Sequence, residues 1–286
     1  MLIVLVTGLA MGALYAAAAL SYNVMYSTSK VLSVTTGHLF MVSGIVGAYL
    51  IGDLKWHWFF GLLGAVATST VFGLITEFVA IRRVLARSDE HLWLLSTLAL
   101  ATIVQQGFGL WWGTEPRPFP RLIPQDFSDG AWDQRFWLPI GAVMLIVIAL
   151  EFFYRRTLFG KIFMAVSEDP FAARARGVAT DRIRALSFAI AGLLGGFVGF
   201  AAAQLTYAYF SLGLSLTLYG FIALAAGGMG SNMGALAGGV LLGLLTSIAT
   251  YFFGGSYQQT IAVGLLMAFL LLKPEGLFGN RNSRIV

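Results

Sequence analysis

The feature that most constrains this chain is a long segment without charge, because residues 185–272 contain no Asp, Glu, Lys or Arg. Soluble domains carry roughly 25% charged residues, whereas this protein of 286 residues carries 11% and is 58% hydrophobic. So few charged side chains cannot cover a surface that faces water. We therefore expect an all-α, polytopic membrane protein that forms a single domain over residues 1–286.

Apolar stretches long enough to cross a bilayer, about 20 residues each, recur along the chain. Spans are predicted at residues 1–29, 31–52, 56–76, 91–114 and 136–150, the last continuing to Tyr154. The charge-free segment has room for three or four more elements, with breaks expected at residues 211–215, 230–233 and 254–257. The sequence therefore predicts about eight or nine transmembrane helices, and the count is eight if a glycine-rich segment is re-entrant.

Basic residues predict the orientation, because Lys and Arg collect on the cytoplasmic side of membrane proteins. Most of the 18 fall in three regions: Arg82, Arg83 and Arg87; residues 155–184; and Lys273, Arg281 and Arg284. We expect these regions and the C-terminus to be cytoplasmic and the N-terminus to lie outside. The same rule explains the excess of Lys and Arg over Asp and Glu. A nucleic-acid partner is not predicted, because no basic patch with interleaved aromatics is present.

Residues 113–137 have the opposite character. They carry four acidic and three basic residues, and they hold four of the seven prolines. Tryptophans, which are enriched at membrane interfaces, flank or end the segment: Trp111, Trp112, Trp132 and Trp137. The segment is predicted to be an irregular external loop.

The sequence lacks the patterns of an enzyme or of an ATP-binding protein. It contains no phosphate-binding loop, no HExxH motif, no Gly-x-Ser-x-Gly elbow and no Cys. We therefore predict no catalytic, metal or cofactor-binding residues in this chain. Glu77 and Glu151 are the ionisable residues nearest to the interior of a span, and we expect them to pair with Arg82 or Arg83 and with Arg155 or Arg156.

A short helix is predicted within the charged segment 155–184. Asp169 suits the N-cap, Pro170 the first helical position and Gly177 the position after the end. Arg174 and Arg176 lie in the last turn, where cations are favourable for the helix dipole. The surface of this helix carries small residues and one aromatic, which suits a groove on another protein better than a lipid surface. On this surface Phe171 and Ala175 share one face, and Ala172 lies beside them.

Glycine pairs at four-residue spacing predict close helix packing, because small residues let helix backbones approach in lipid. The pairs are Gly8/Gly12, Gly195/Gly199, Gly234/Gly238 and Gly239/Gly243. Residues 227–234, GGMGSNMG, cannot form a stable helix interior, and we expect a buried break there. The break supplies five candidates for a transport pathway: Gly227, Gly228, Gly230, Ser231 and Asn232.

Four motifs resemble known transporters. The pattern AAxxxG from Ala172 to Gly177, within GKIFMAVSEDPFAARARGVATDRIRALSF, resembles the coupling-loop motif of bacterial ATP-binding cassette import permeases. The stretches GALYAAAAL, GGMGSNMGALAGGVLLG and KPEGLFG are similar, in the same order, to the branched-chain amino acid permeases of the LivH type. The resemblance spans nearly the whole chain.

The resemblance implies a complex in the inner membrane of a bacterium. It would contain a second permease subunit as a heterodimer, two cytoplasmic ATPases that bind the ATP, and a periplasmic substrate-binding protein. The resemblance also implies that the short helix couples to an ATPase, with Phe171, Ala172 and Ala173 buried in a groove of that ATPase and Arg174 and Arg176 at its rim.

One segment departs from the family pattern. Where the family commonly shows a VLNFAHG-like stretch close to the pathway, residues 31–37 read VLSVTTG. The pathway candidates in this segment are Ser33, Thr35, Thr36, Gly37 and His38. The cargo therefore stays open between branched-chain amino acids, amides, urea and carboxylates. A ribose-type sugar permease and a membrane scaffold or assembly factor are the alternatives.

Overall fold

The computed structural model describes residues 1–85, 92–120, 122, 133–273 and 276–278. Within this part of the chain the fold is all-α, with eleven helices. In order they are α1 (Leu2–Ser29), α2 (Thr36–Ala48), α3 (Trp58–Leu85), α4 (Leu92–Trp112), α5 (Gln134–Arg156), α6 (Leu158–Glu168), α7 (Pro170–Ala175), α8 (Thr180–Thr206), α9 (Leu212–Gly227), α10 (Asn232–Phe253) and α11 (Gln258–Leu272). A π turn at Tyr49–Asp53 follows α2, and a second at Thr76–Ile81 interrupts α3.

Six of these helices are long and apolar enough to cross a membrane, which confirms a polytopic all-α protein. They are α1, α3, α4, α5, α8 and α10. Helix α9 is apolar but has 16 residues. Helices α2 and α11 are shorter still, with 13 and 15 residues.

The spans predicted at residues 1–29, 91–114 and 136–154 are confirmed as α1, α4 and α5. The break expected at residues 211–215 lies earlier, because Ala208 pairs with Arg117 in an isolated antiparallel bridge and α9 already begins at Leu212. The predicted segment 155–184 is mostly helical, since it contains α6 and α7. Several residues used in the sequence predictions lie outside the described residues: Arg87, His91, Trp132, Arg281 and Arg284.

Glycine packing at the centre of the bundle is confirmed. Helix α1 packs against α10, and a Cβ added to Gly12 would lie 2.9 Å from the Cα of Val240. Helix α8 packs against α2 and α3, and a Cβ on Gly199 would lie 2.7 Å from the carbonyl oxygen of Phe40. The glycines are therefore placed where backbone meets backbone.

The two ends of the bundle differ. At the charged end, the carboxylate of Glu77 binds Arg184, and Lys30 Nζ donates to the carbonyl oxygen of Ser167 over 2.7 Å. At the loop end, Arg117 lies 4.0 Å from Asp53 and pairs with Ala208. Helices α6 and α7 lie at the charged end. The first two basic regions, at Arg82 and at Arg184, therefore meet at one end.

Candidate functional site

The short helix α7 has the predicted caps. Asp169 Oδ1 accepts hydrogen bonds from the backbone amides of Phe171 and Ala172, both over 2.9 Å. Gly177 has φ +84°, and its amide donates to the carbonyl oxygen of Arg174 over 2.9 Å. A left-handed glycine after the last turn is how helices commonly end. The helix is thus fixed at both ends by its own sequence.

The two faces of α7 differ in exposure. Phe171 is 84% exposed, and Ala172 and Ala175 are exposed beside it. Ala173 is 6% exposed and belongs to the buried core of this chain. The prediction that Ala173 enters a partner's groove together with Phe171 is therefore wrong. Two residues along a helix correspond to about 200°, so the two side chains point in nearly opposite directions.

Arg174 turns back toward its own chain. Its guanidinium donates to Thr180 Oγ1 through Nη2 over 2.8 Å and through Nε over 3.2 Å. The same Nη2 lies 4.0 Å from Asp181 Oδ1. Helix α7 is therefore attached to the first turn of α8. Arg176 is exposed, and its place at the rim of a contact stays a prediction.

Glu77 is a buried carboxylate at 1% exposure, within the π turn of α3. Its Oε1 accepts hydrogen bonds from Arg82 Nε over 3.3 Å and from Arg184 Nε over 3.1 Å. The predicted partner Arg82 is confirmed. Arg184 was not predicted, because it lies 107 positions away. Glu151 pairs with Arg155 one turn along α5, as predicted.

The candidates in residues 31–38 are brought together and fully enclosed, since Ser33, Thr35, Thr36 and His38 are at most 1% exposed. The hydroxyls of Ser33 and Thr35 lie 2.7 Å apart, and Thr36 Oγ1 donates to the carbonyl oxygen of Ser33 over 2.7 Å. The hydroxyls of Ser33, Thr35 and Thr36 are therefore partnered within this segment. It forms a polar core rather than an open cavity.

Two residues that sequence reasoning missed complete this polar core. Thr217 of α9 accepts from the amide of Gly37 over 3.0 Å and donates to the carbonyl oxygen of Val34 over 3.0 Å. Gln105 of α4 lies 3.4 Å from His38 Nε2 through its Oε1. Their position in the sequence could have indicated them, because polar residues within apolar spans usually have a specific hydrogen-bond partner.

The break predicted at residues 227–234 is confirmed as a junction between α9 and α10. Gly228 and Gly230 have φ +102° and +87°, and Ser231 Oγ caps α10 by accepting from the amide of Gly234 over 3.0 Å. Burial is incomplete. Gly227, Gly228 and Gly234 are buried, but Gly230 is exposed, because it lies on the outer side of the junction beside Met229 and Met233.

Asn23 of α1 holds the junction in place. Its Oδ1 accepts from the amide of Gly230 over 2.9 Å, and its Nδ2 donates to Asn232 Oδ1 over 2.5 Å. The preceding residue, Tyr22, donates to the carbonyl oxygen of Thr217 over 3.2 Å. Adjacent residues of α1 therefore connect the junction to the polar core of residues 31–38.

Two further elements adjoin the junction. The amides of Leu277 and Phe278 donate to the carbonyl oxygens of Ala226 and Gly227, both over 2.9 Å. These contacts satisfy carbonyls that a helix end leaves unpaired. A cavity of about 300 Å³ lies beside the junction, lined by Leu20, Val147, Ile148, Leu150, Glu151, Asn232, Met233 and Leu236. Among the described residues no group of acidic or histidine side chains is placed to hold a metal ion.

Comparison with solved structures supports the fold. One similar structure, described as PsaBC from Streptococcus pneumoniae in complex with Fab, gives a TM-score of 0.50 at 14% sequence identity. The match covers 95% of this chain and 92% of that one.

Sequence comparison identifies two relatives over nearly the full length and a third over about half of this chain. The chain is 25% identical to the high-affinity branched-chain amino acid transport system permease protein LivH of Salmonella typhimurium, covering 96% of this chain and 94% of LivH. It is 27% identical to BraD of Pseudomonas aeruginosa, with coverage of 96% and 95%. It is also 27% identical to the autoinducer 2 import system permease protein LsrC of Yersinia enterocolitica, over 47% of this chain and 39% of LsrC.

Residues 4–272 match the family described as branched-chain amino acid transport system / permease component. That match covers most of the chain, including residues 31–38 and the junction at residues 227–234. This protein therefore belongs to the branched-chain amino acid transport permease family, and it is a multi-pass transporter subunit of an ATP-binding cassette importer rather than an enzyme.

Proposed function

We propose that this protein carries a small polar solute, in the first place a branched-chain amino acid, into the cytoplasm across a bacterial inner membrane. Its partners in this proposal are a second permease subunit in a heterodimer, two cytoplasmic ATPases that bind ATP, and a periplasmic substrate-binding protein. Membership of the permease family and the absence of a phosphate-binding loop in the sequence support an external energy source.

The proposed topology has nine passes, formed by α1 to α5 and α8 to α11, with the charged end in the cytoplasm. The positive-inside rule supports this orientation, since Arg82, Arg155 and Arg184 belong to that end. Residues 113–137 then face the periplasm, where they help to dock the binding protein.

Cysteine labelling tests the topology, and because the sequence contains no Cys, only the introduced residue can be labelled. Thr114→Cys should react with an impermeant thiol reagent once the outer membrane is permeabilised. Arg176→Cys should react only after the inner membrane is opened. The reverse pattern would invert the topology.

One observation carries the proposed ATPase contact. Phe171 exposes 84% of its surface on a helix whose opposite face, at Ala173, is buried in this chain. An exposed aromatic on a rigid support is typical of an interface anchor. We propose that Phe171, Ala172 and Ala175 contact the ATPase, whereas Ala173 fixes α7 to the bundle.

Substitution tests this contact. Phe171→Ala should reduce co-purification of the ATPases and ATP-dependent transport by at least tenfold, because an anchor of this kind is typically worth about 2 kcal/mol or more. Phe159→Ala is the matched control, since Phe159 is 63% exposed on the neighbouring α6 and lies outside the proposed contact. Full ATPase binding by Phe171→Ala would reject the assignment.

The cargo is tested separately. Cells that express the complete transporter should take up radiolabelled leucine in an ATP-dependent manner. Radiolabelled ribose is the second probe, because a ribose-type sugar permease is the alternative that the sequence leaves open. Uptake of ribose without leucine would replace the amino acid with the sugar-like class.

A further inference from the structure

Glu77 is a buried charge whose presence helix packing alone does not explain. A charged side chain within a membrane span is costly, and it is usually paired and functional. Glu77 is 1% exposed, yet its Oε1 binds arginines from two places, Arg82 on the same helix and Arg184 on α8. Among the described residues its Oε2 has no hydrogen-bond partner. A second acceptor is thus available if either arginine shifts.

The contact continues from Glu77 to the short helix α7. Arg184 also binds Asp181 Oδ1 through Nη2 over 3.1 Å. Asp181 Oδ1 lies 4.0 Å from Arg174 Nη2, and Arg174 donates to Thr180 on the same turn of α8. Three helices are therefore joined by side chains of alternating charge, in the order α7, α8 and α3.

Another ion pair, on α5, shows that this arrangement is not a general property of the charged end. Glu151 and Arg155 pair one turn apart on α5, and their side chains are 49% and 77% exposed. That pair connects no two helices, whereas Glu77 and Arg184 connect α3 to α8. Exposed pairs contribute little to stability, so Glu151 provides a matched control.

The far end of the chain of contacts is a π turn, Thr76–Ile81, which packs against α4. Such turns are rare within helices and are frequently found at functional sites. Helix α4 is the least enclosed long span, with 11% of its most apolar stretch buried. A displacement of the π turn would therefore reach a helix that is weakly held by the rest of the chain.

We propose that Arg174, Asp181, Arg184 and Glu77 form a relay that carries the movement of α7 to the π turn of α3 and onward to α4. This inference rests on the proposed function, in which an ATPase displaces α7. Glu77 and Arg184 act as positioning residues, because they hold α3 to α8 beyond the last close glycine contact of these helices, at Gly73.

Spin-label distances in the assembled transporter test the relay without knowledge of the cargo. One label at Tyr251 on α10 serves as the reference, and the second is placed at Arg176 or at Val79, all of which are exposed. Distances are compared between the nucleotide-free and the ADP–vanadate-trapped complex. In otherwise wild-type protein we expect both distances to change.

Two variants each change one contact of the relay, and a third is the control. In Glu77→Gln the Val79 distance should stay constant while the Arg176 distance still changes. In Asp181→Asn, which alters an exposed link, the change at Val79 should be smaller than in wild type. Glu151→Gln should leave both changes intact. ATPase co-purification confirms assembly of each variant.

The outcomes distinguish this inference from the proposed function. A wild-type change at Val79 in both relay variants overturns the relay. If Glu77→Gln does not assemble, the test depends on Asp181→Asn alone. A change in the Val79 distance as large as in wild type then rejects the proposal. If Arg176 does not move even in the wild type, the ATPase contact itself is wrong and the relay falls with it.

Discussion

Two long helices of this protein are suited to opposite surroundings. In its most apolar stretch α8 is 67% buried, whereas α4 is 11% buried. Both contain glycine, but the glycines meet different neighbours. A Cβ on Gly192 of α8 would lie 2.6 Å from the carbonyl oxygen of Ser69, whereas a Cβ on Gly107 of α4 would have no heavy atom of the described residues within 4 Å.

This difference shows that glycine content alone does not identify a packed helix. On α8 the missing side chain permits a backbone contact with α3, so any added atom must displace main chain. On α4 the same residue type leaves open space that lipid or another subunit can occupy. Substitutions at matched glycines of α8 and α4 therefore measure how much each helix contributes to the stability of the fold.

The largest effect is expected for Gly192→Leu. Its side chain would be forced against the backbone of Ser69 and Thr70, at 2.6 and 2.7 Å from the Cβ position. Overpacking of a tight core costs about 1–3 kcal/mol and occasionally more, and backbone neighbours place this site at the upper end. We expect almost no folded protein in detergent, measured by size-exclusion chromatography and thermal unfolding. A wild-type profile would show that α8 and α3 can separate freely.

A smaller loss is expected for Gly228→Ala at the junction of α9 and α10. Gly228 has φ +102° and ψ 128°, a conformation that L residues rarely adopt, and a residue held in such a sparsely populated region costs roughly 1–3 kcal/mol. The melting temperature should fall while the protein still folds. The control is Gly107→Ala, and equal melting temperatures for the two variants would contradict the strain.

Ser69→Ala should cost about 1 kcal/mol. The hydroxyl of Ser69 lies 2.9 Å from the carbonyl oxygen of Leu39 and 2.8 Å from that of Gly192, so it joins α2 and α8 to α3. The single proton of the hydroxyl is shared between the two carbonyl oxygens, and a hydrogen bond between membrane helices is worth roughly 0.6 kcal/mol on average and up to about 1.7 kcal/mol. Thermal unfolding measures the loss. Thr102→Ala on α4 provides the comparison, because its hydroxyl bonds within its own helix, to Leu98.

The smallest effect is expected for Gly107→Leu on α4. The position is open, so the free energy of unfolding should change by no more than about 0.5 kcal/mol. The measurement is the melting temperature of the isolated subunit in detergent. A loss as large as that of Gly192→Leu would remove the contrast between the two helices.

Much of the fold could be predicted from the sequence, because bilayer length and glycine spacing are local signals. Helix α1 and the junction at Gly228 follow directly from apolar length and from glycine's poor helix propensity. The end of α8 could not be predicted in the same way. It depends on the pairing of Ala208 with Arg117, which no local pattern indicates.

The candidate site was predicted in part. Caps at Asp169 and Gly177 use residues close in sequence, and they were found. The buried face of Ala173 could have been inferred from helical geometry, since its position two residues after Phe171 places it on the other side. The pairing of Glu77 with Arg184 could not, because it depends on how α3 and α8 pack.

The backbone pairing of Leu277 and Phe278 with Ala226 and Gly227 has a consequence for biosynthesis. The carbonyls at the end of α9 are translated before α10 and α11, whereas the amides that satisfy them are translated afterwards. At roughly 5–20 residues per second, the ribosome needs several seconds to bridge that interval. During insertion, the end of α9 therefore lacks these two hydrogen bonds, and the order of translation sets the earliest moment at which the junction can close.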